Sequence, residues 1–98
     1  MIASHIKPYE YKNENNLCVG KYVLNLFTIQ YIPNQDIPVK DAVHAGINVS
    51  TKYETPTWIN FKGIIITIPY RTNLTDEAIQ NIVNQYMFRA KLRNQTTR

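Results

Sequence analysis

The segment Thr75–Arg93, TDEAIQNIVNQYMFRAKLR, is the most strongly patterned part of the 98-residue chain. Thr75 can cap a helix at its N-terminus, and Asp76 and Glu77 place carboxylates where the helix dipole favours them. Apolar residues then recur every three or four positions, as one face of an amphipathic helix requires: Ala78, Ile79, Ile82, Val83, Tyr86, Met87 and Ala90. At ~1.5 Å per residue this helix would be roughly 27 Å long, enough to cross a small sheet.

Two stretches upstream are rich in β-branched and aromatic residues, the types that favour strands. In residues 18–32 apolar side chains occupy both alternating positions, which predicts one strand covered on both faces and ended by the turn Pro33–Asp36. In the second stretch the alternation changes phase at Lys62–Gly63, so this pair is either a bulge or the tip of a hairpin. We favour the hairpin, because its arms, Trp58–Phe61 and Ile64–Ile68, have similar lengths.

Residues 36–50 fit two structures. A helix would align Val39, Val43 and Ile47 on one side, whereas the apolar residues after Val43 also alternate as a strand would. Gly46 lowers the helix propensity of this segment. We predict a short helix near residues 38–45, followed by an extended segment.

Together these patterns predict one α+β domain spanning residues 1–98. A small antiparallel sheet of three to five strands would be packed by the long C-terminal helix, and residues 94–98 would form a frayed basic tail. Ile2, Ile6 and Tyr9 could add an edge strand near the N-terminus.

The composition excludes several classes of protein. With 44% hydrophobic and 18% charged residues, the chain is typical of a soluble globular domain. Cys18 has no second cysteine to pair with, and its place at the start of an apolar strand predicts a buried structural thiol. His5 and His44 lack metal-ligand spacing, so we expect no metal and no cofactor. Without an apolar run of ~20 residues or a signal segment, a cytoplasmic protein outside the membrane is expected.

The sequence also lacks the patterns of catalysis. Its glycines, Gly20, Gly46 and Gly63, are isolated, so they cannot form a phosphate-binding loop. Asp76 and Glu77 are neighbours on a helix, where their side chains diverge by ~100° and suit capping better than a catalytic dyad. We therefore expect no enzymatic activity.

The net charge of +4 is concentrated at the C-terminal end. Residues 1–88 carry seven basic and seven acidic side chains, so the excess comes from Arg89, Lys91, Arg93 and Arg98. A basic end on a neutral body suits phosphate groups or an acidic protein surface. The alternative is a solubilising tail that complements the helix dipole.

Six of the eleven aromatic residues have a basic neighbour in the sequence, a mixture that suits single-stranded nucleic acid because bases stack on rings and cations meet phosphates. Neighbours within a strand face opposite sides. Only pairs in loops or at strand ends can therefore share a surface: Tyr11–Lys12, Lys52–Tyr53 and Tyr70–Arg71. Phe88 lies off the apolar stripe, so we expect it to be exposed and to contact a protein. Trp58 is expected in the core or at the rim of the sheet.

In size, charge and composition the chain resembles the small accessory proteins encoded in replication operons of mobile elements and phages of low-GC Gram-positive bacteria. Such proteins bind a polymerase, primase or helicase, or single-stranded DNA, often without catalysis of their own. The resemblance implies a partner of this kind and assigns no role to any residue.

Two hypotheses follow. The first is a non-catalytic accessory protein that binds single-stranded nucleic acid or a DNA-replication enzyme through its basic end and the three aromatic–basic pairs. The second is a protein-interaction module, acting as an inhibitor, a subunit or a homo-oligomer, that docks through surfaces such as Phe88 and a strand edge.

Overall fold

The computed structural model describes residues 8–96, with side chains as far as residue 93. The candidate residues His5, Ile2, Ile6 and Arg98 therefore lie outside the part that is described. The elements follow in the order β1 Tyr9–Lys12, β2 Cys18–Leu24, β3 Ile29–Pro33, α1 Val39–Tyr53, β4 Thr57–Phe61, β5 Ile64–Ile68 and α2 Asp76–Thr96. The predicted C-terminal helix is confirmed with Thr75 as its cap, since Thr75 Oγ1 accepts from the Ala78 N–H at 3.1 Å. Its last turn extends to Thr96, beyond the predicted start of fraying.

The five strands form one sheet in the order β1-β2-β3-β4-β5. The predicted α+β class is confirmed, but the sheet is mixed rather than wholly antiparallel. Strands β3 and β4 are parallel, because α1 connects them as a crossover, whereas the other three pairs are antiparallel.

The prediction of one long strand over residues 18–32 is wrong. The segment is a hairpin of β2 and β3, joined by the turn Asn25–Thr28, in which the Asn25 N–H donates to the Thr28 carbonyl at 2.9 Å. Leu26 and Phe27 occupy the turn and are 85% and 77% exposed. Apolar residues occur at both parities here because the chain reverses and the turn is itself apolar. No glycine or proline marks the turn in the sequence.

Helix α1 is longer than the short helix predicted near residues 38–45 and replaces the predicted extended segment. It ends at Glu54, which has a left-handed backbone with φ of 53°. Gly46 lies inside the helix where α1 approaches the sheet most closely. A Cβ atom at this position would overlap Ile59 Cδ1 and lie 3.4 Å from Ile68 Cγ1. Packing against the sheet therefore outweighs the low helix propensity of glycine here.

The predicted hairpin at Lys62–Gly63 is confirmed. Both residues have positive φ, 53° and 81°, as a two-residue turn of the type that suits twisted strands requires. Its arms pair in the register Phe61 opposite Ile64 through Thr57 opposite Ile68.

Both helices pack on the same face of the sheet and enclose one hydrophobic core. The largest buried side chains of this core come from three strands and from α1: Tyr31, Phe61, Ile29, Ile47, Ile59, Ile68, Val43 and Val49. Along β3 and β4 buried and exposed residues alternate strictly, because only one side of the sheet is covered. No described element covers the other side. We call that side the open face, formed by Glu10, Lys21, Val23, Gln30, Ile32, Trp58, Asn60, Ile65 and Thr67.

Candidate interaction surface

Two of the predicted nucleic-acid-binding residues are bonded to the edge of the sheet. Ile64 lies opposite Phe61 at the two-residue turn, so the next residue, Ile65, directs its carbonyl away from β4. Arg89 Nη1 donates to this carbonyl at 2.7 Å, and Arg93 Nη1 donates to the Lys62 carbonyl at 3.0 Å. The guanidinium groups remain exposed, and they cover backbone acceptors that an edge strand would otherwise offer to another chain.

The outward side of α2 carries further residues that the sequence analysis assigned to an interaction surface. Lys91 is exposed, and the predicted exposure of Phe88 is confirmed. Met87, which the sequence pattern assigned to the buried stripe, is instead exposed beside Phe88 and Leu92. A protein contact at Phe88 stays a prediction.

Tyr11 and Lys12 lie on the opposite edge strand, β1. The Tyr11 hydroxyl accepts a hydrogen bond from Asn48 Nδ2 at 2.9 Å, and its ring meets Tyr31 edge-on with centroids 5.9 Å apart. Tyr11 therefore ties β1 to α1 and is a structural residue, whereas Lys12 is exposed. Both residues line an open cleft of about 550 Å³ together with His44. Among residues 8–96, His, Cys, Asp and Glu side chains form no group of three that could hold a metal ion.

Tyr53 is also engaged within the molecule. Its hydroxyl lies 2.9 Å from the Tyr22 hydroxyl, and Tyr9 stacks on Tyr22 with centroids 5.4 Å apart. Burial, and then the hydrogen bond to Tyr53, raise the pKa of Tyr22 well above its usual range. The Lys52 ammonium lies 5.3 Å from the centroid of the Tyr53 ring. Tyr53 therefore holds the end of α1 to β2, and Lys52 packs on the Tyr53 ring.

Tyr70 and Arg71 form the predicted pair that is most open to solvent. They follow β5, and the Arg71 guanidinium lies 5.1 Å from the centroid of the exposed Tyr70 ring. The same arrangement occurs at Lys62 over Phe61, at 5.3 Å. In three of the six aromatic–basic neighbour pairs of the sequence, the cation thus packs on the ring of its own neighbour.

The predicted nucleic-acid residues do not converge on one surface. Arg93 contacts the turn before β5, whereas Tyr70 lies beyond the other end of this strand, roughly 17 Å away for five residues. Tyr11 and Lys12 lie at the far edge of the sheet, on β1. The structure places the described candidates at three separate positions, and the end of α1 with Lys52–Tyr53 lies at the second of them, since Thr51, Glu54, Tyr70 and Arg71 line one open cleft.

The open face offers a continuous surface that the sequence reasoning missed. Trp58 is 44% exposed and lies between Gln30 on β3 and Thr67 on β5. Ile32 and Ile65 are 53% and 44% exposed on the same face. Trp58 is therefore neither a core nor a rim residue; it stands in the middle of an uncovered sheet. The alternation of Trp58 and Asn60 with buried neighbours is the signal that could have shown this.

Cys18 is exposed, so the prediction of a buried thiol is wrong. It opens β2, at the end of the sheet, and its Sγ lies 3.5 Å from the Gly20 carbonyl. Because Cys18 is the first residue of β2, its side chain lies at the margin of the sheet, outside the buried core.

Comparison with known proteins finds no match among protein-family models, curated proteins or solved structures. In residues 8–96 no helix combines the length and the apolar character needed to cross a bilayer.

Proposed function

We propose that this protein is a protein-interaction module that binds through the open face of its sheet. The observation that carries the proposal is the exposure of Trp58 in the middle of that face, with Ile32 and Ile65 exposed diagonally from it on the two neighbouring strands. Apolar centres surrounded by polar residues mark interaction sites on small proteins, and tryptophan often dominates the binding energy at such centres.

The chemistry of the open face favours a protein over nucleic acid. The outward positions of β3, β4 and β5 are occupied by Gln30, Ile32, Trp58, Asn60, Ile65 and Thr67, none of which is charged. Nucleic acid binding draws most of its affinity from cations that neutralise phosphates. Trp58 is the one ring among these six residues, and the two isoleucines offer none on which a further base could stack. An apolar protein surface fits this face better.

Site-specific photo-crosslinking tests the proposal directly. Replacing Trp58 with a benzophenone amino acid keeps a large aromatic side chain at the centre of the face. In cells that carry the native gene, we expect this position to yield discrete protein adducts. The matched control is the same substitution at Asn81, an exposed residue of α2 on the other side of the molecule. Adducts only from position 81, or from neither position, would contradict the proposal.

A nucleic-acid or replication-enzyme function remains the second candidate, and Tyr70–Arg71 favours it. This exposed ring with its adjacent cation is the one predicted aromatic–basic pair whose described contacts leave its ring open to solvent. Arg89, Lys91 and Arg93 add exposed positive charge on α2. Anisotropy titration of a labelled single-stranded oligonucleotide at low and high salt is the test. Binding should weaken steeply with salt and fall in the Tyr70→Leu variant, but not in a Tyr9→Leu control. If the oligonucleotide does not bind even at low salt, direct recognition of nucleic acid is excluded.

A further inference from the structure

We propose that the partner of the open face is a second copy of this chain, and that two open faces pack against each other around a twofold axis. This inference rests on the proposed function and names the partner. Sheets commonly pack face to face about 10 Å apart with nearly aligned strands. The result would be a four-layer arrangement, with the two sheets inside and the helices outside.

Charge distinguishes this surface from the other apolar surface of the molecule. The protein carries a net charge of +4, so contact between two copies is opposed wherever cations meet. On α2, Phe88 is flanked by Arg89 and Lys91, and pairing this helix with itself would bring like charges together. The outward positions of β3, β4 and β5 hold no charged residue. Self-association through this part of the open face therefore avoids the repulsion, and Lys21, on β2, lies opposite Glu10 of the same copy.

The charges at the two edges of the sheet favour one orientation. Glu10 lies on the open side of the edge strand β1, opposite Lys21, and Arg89 lies against the edge of β5. A twofold axis parallel to β3 would place β5 of one copy over β1 of the other. Arg89 would then lie near Glu10 of the second copy at both ends of the interface, so that a charged rim surrounds the apolar centre.

The size of the face predicts a weak dimer. Five strands about 4.8 Å apart and about 17 Å long give a projected area of roughly 400 Å². Side-chain relief makes the accessible area larger, yet it stays at or below the ~800 Å² per partner of a standard stable interface. We therefore expect the protein to convert between monomer and dimer as its concentration changes, and not to form a permanent dimer.

Sedimentation velocity with parallel tryptophan fluorescence tests this inference on the full chain. Trp58 is the sole tryptophan of the protein, so its emission reports the open face alone. Over a roughly hundredfold rise in concentration the mass should approach that of a dimer. The emission should shift to shorter wavelength over the same range, because Trp58 leaves water.

Ile32→Lys is the variant that should separate the two copies. It introduces a charge at the centre of the face, and because the interface is symmetric the charge occurs twice. We expect the dissociation constant to rise by about hundredfold or more. Phe88→Lys is the matched control, since it places the same charge at an exposed apolar residue of α2 and should leave association unchanged. Ile32 is half exposed, so the variant should fold, which circular dichroism verifies.

Several results would overturn the inference. These are a wild-type protein that stays monomeric with constant Trp58 emission, or association that Phe88→Lys abolishes and Ile32→Lys does not. A shift of Trp58 emission on adding an oligonucleotide to the monomer would make nucleic acid the occupant. In Glu10→Lys we expect association to weaken severalfold, and unchanged association would rule out the orientation parallel to β3.

The crosslinking experiment separates this inference from the proposed function. Adducts from position 58 with twice the mass of the chain support a second copy. Adducts with a different protein would keep the interaction function and overturn the second copy as partner. If position 58 gives no adduct, both the proposed interaction function and the second copy as its partner are contradicted.

Discussion

Both faces of the sheet carry large apolar residues, but the two faces differ in what these residues contact. On β5, Ile66 is 3% exposed beneath the helices, whereas its neighbour Ile65 is 44% exposed on the open face. On β4, Ile59 is fully buried, whereas its neighbour Trp58 is 44% exposed on the open face. Large apolar residues therefore occur on both sides, but on the open face they stand among polar and charged residues, and only the covered side buries its apolar residues fully in the monomer.

This difference shows where function can be sought. Burial of the covered face explains why its residues are apolar, since their removal from water drives folding. Trp58, Ile32 and Ile65 remain 44–53% exposed, so partial burial and strand propensity explain only part of the apolar character of these positions. Association through the open face would explain the rest. The covered and open faces can be compared directly by matched substitutions.

The largest contrast is expected between Ile66→Asp and Ile65→Asp. At position 66 an unpaired carboxylate would be buried, which should cost about 4 kcal/mol or more and unfold much of the protein. At position 65 the carboxylate faces water, and the cost should be about 1 kcal/mol or less, arising from strand propensity. Urea unfolding at low protein concentration measures both. Similar losses would mean that the open face is covered in the monomer.

Gly46→Ala examines how tightly the covered face is packed. A methyl group at this position would meet Ile59 and Ile68, and overpacking a core costs about 1–3 kcal/mol. The gain in helix propensity of about 1 kcal/mol opposes this cost. We expect a net loss of about 1 kcal/mol in the free energy of unfolding. Thr51→Ala, at an exposed position of α1, should be neutral or slightly stabilising. A stabilised Gly46→Ala variant would show that α1 can move away from the sheet.

The sequence predicted the elements whose local signals agree with their packing. Capping residues, apolar spacing and basic residues all indicate α2, and the change of phase at Lys62–Gly63 indicates the hairpin. Prediction failed where long-range contacts decide the structure. The turn at Leu26 and Phe27 contains no glycine or proline, and α1 continues through Gly46 because glycine fits against Ile59.

The candidate site was less predictable than the fold, for a related physical reason. Charge and aromatic neighbours are visible in a sequence, but their hydrogen-bond partners are not. Arg89 bonds to Ile65, which is 24 positions away, and Tyr11 bonds to Asn48, which is 37 positions away. The open face becomes visible only when strands are placed in order and both helices are found on one side.

Arg89→Gln tests the edge where the two faces meet. Loss of the hydrogen bond to the Ile65 carbonyl should lower the free energy of unfolding by about 1 kcal/mol, since water can replace the donor at this exposed site. Lys91→Gln is the control, because it removes the same charge from an exposed residue of α2 and should be silent. If both variants lower the thermal stability equally, the loss of positive charge on α2 explains the effect, and the hydrogen bond from Arg89 to the Ile65 carbonyl does not.

A loss of similar size is expected at the tyrosine pair, where the covered face must satisfy a polar group that the open face leaves to water. Tyr53→Phe removes the hydrogen bond to the Tyr22 hydroxyl, which should cost about 1 kcal/mol near neutral pH. Tyr70→Phe, on an exposed ring, should have no effect.

The dependence on alkaline pH follows from the raised pKa of Tyr22. A folded-state pKa above the unfolded value of about 10 means that the folded protein holds its proton more tightly, so this stabilisation is complete below pH ~10 and is lost as pH rises further. Burial alone still raises the pKa of Tyr22 in Tyr53→Phe, but the contribution of the hydrogen bond is gone. The difference in unfolding free energy between wild type and variant should therefore stay constant through pH ~10, where the unfolded states of both proteins ionise alike, and narrow only when pH reaches the raised Tyr22 pKa of the folded variant. Urea unfolding at stepwise higher pH measures this, and a difference that widens above pH ~10 would mean that the Tyr53 hydroxyl stabilises ionised rather than neutral Tyr22.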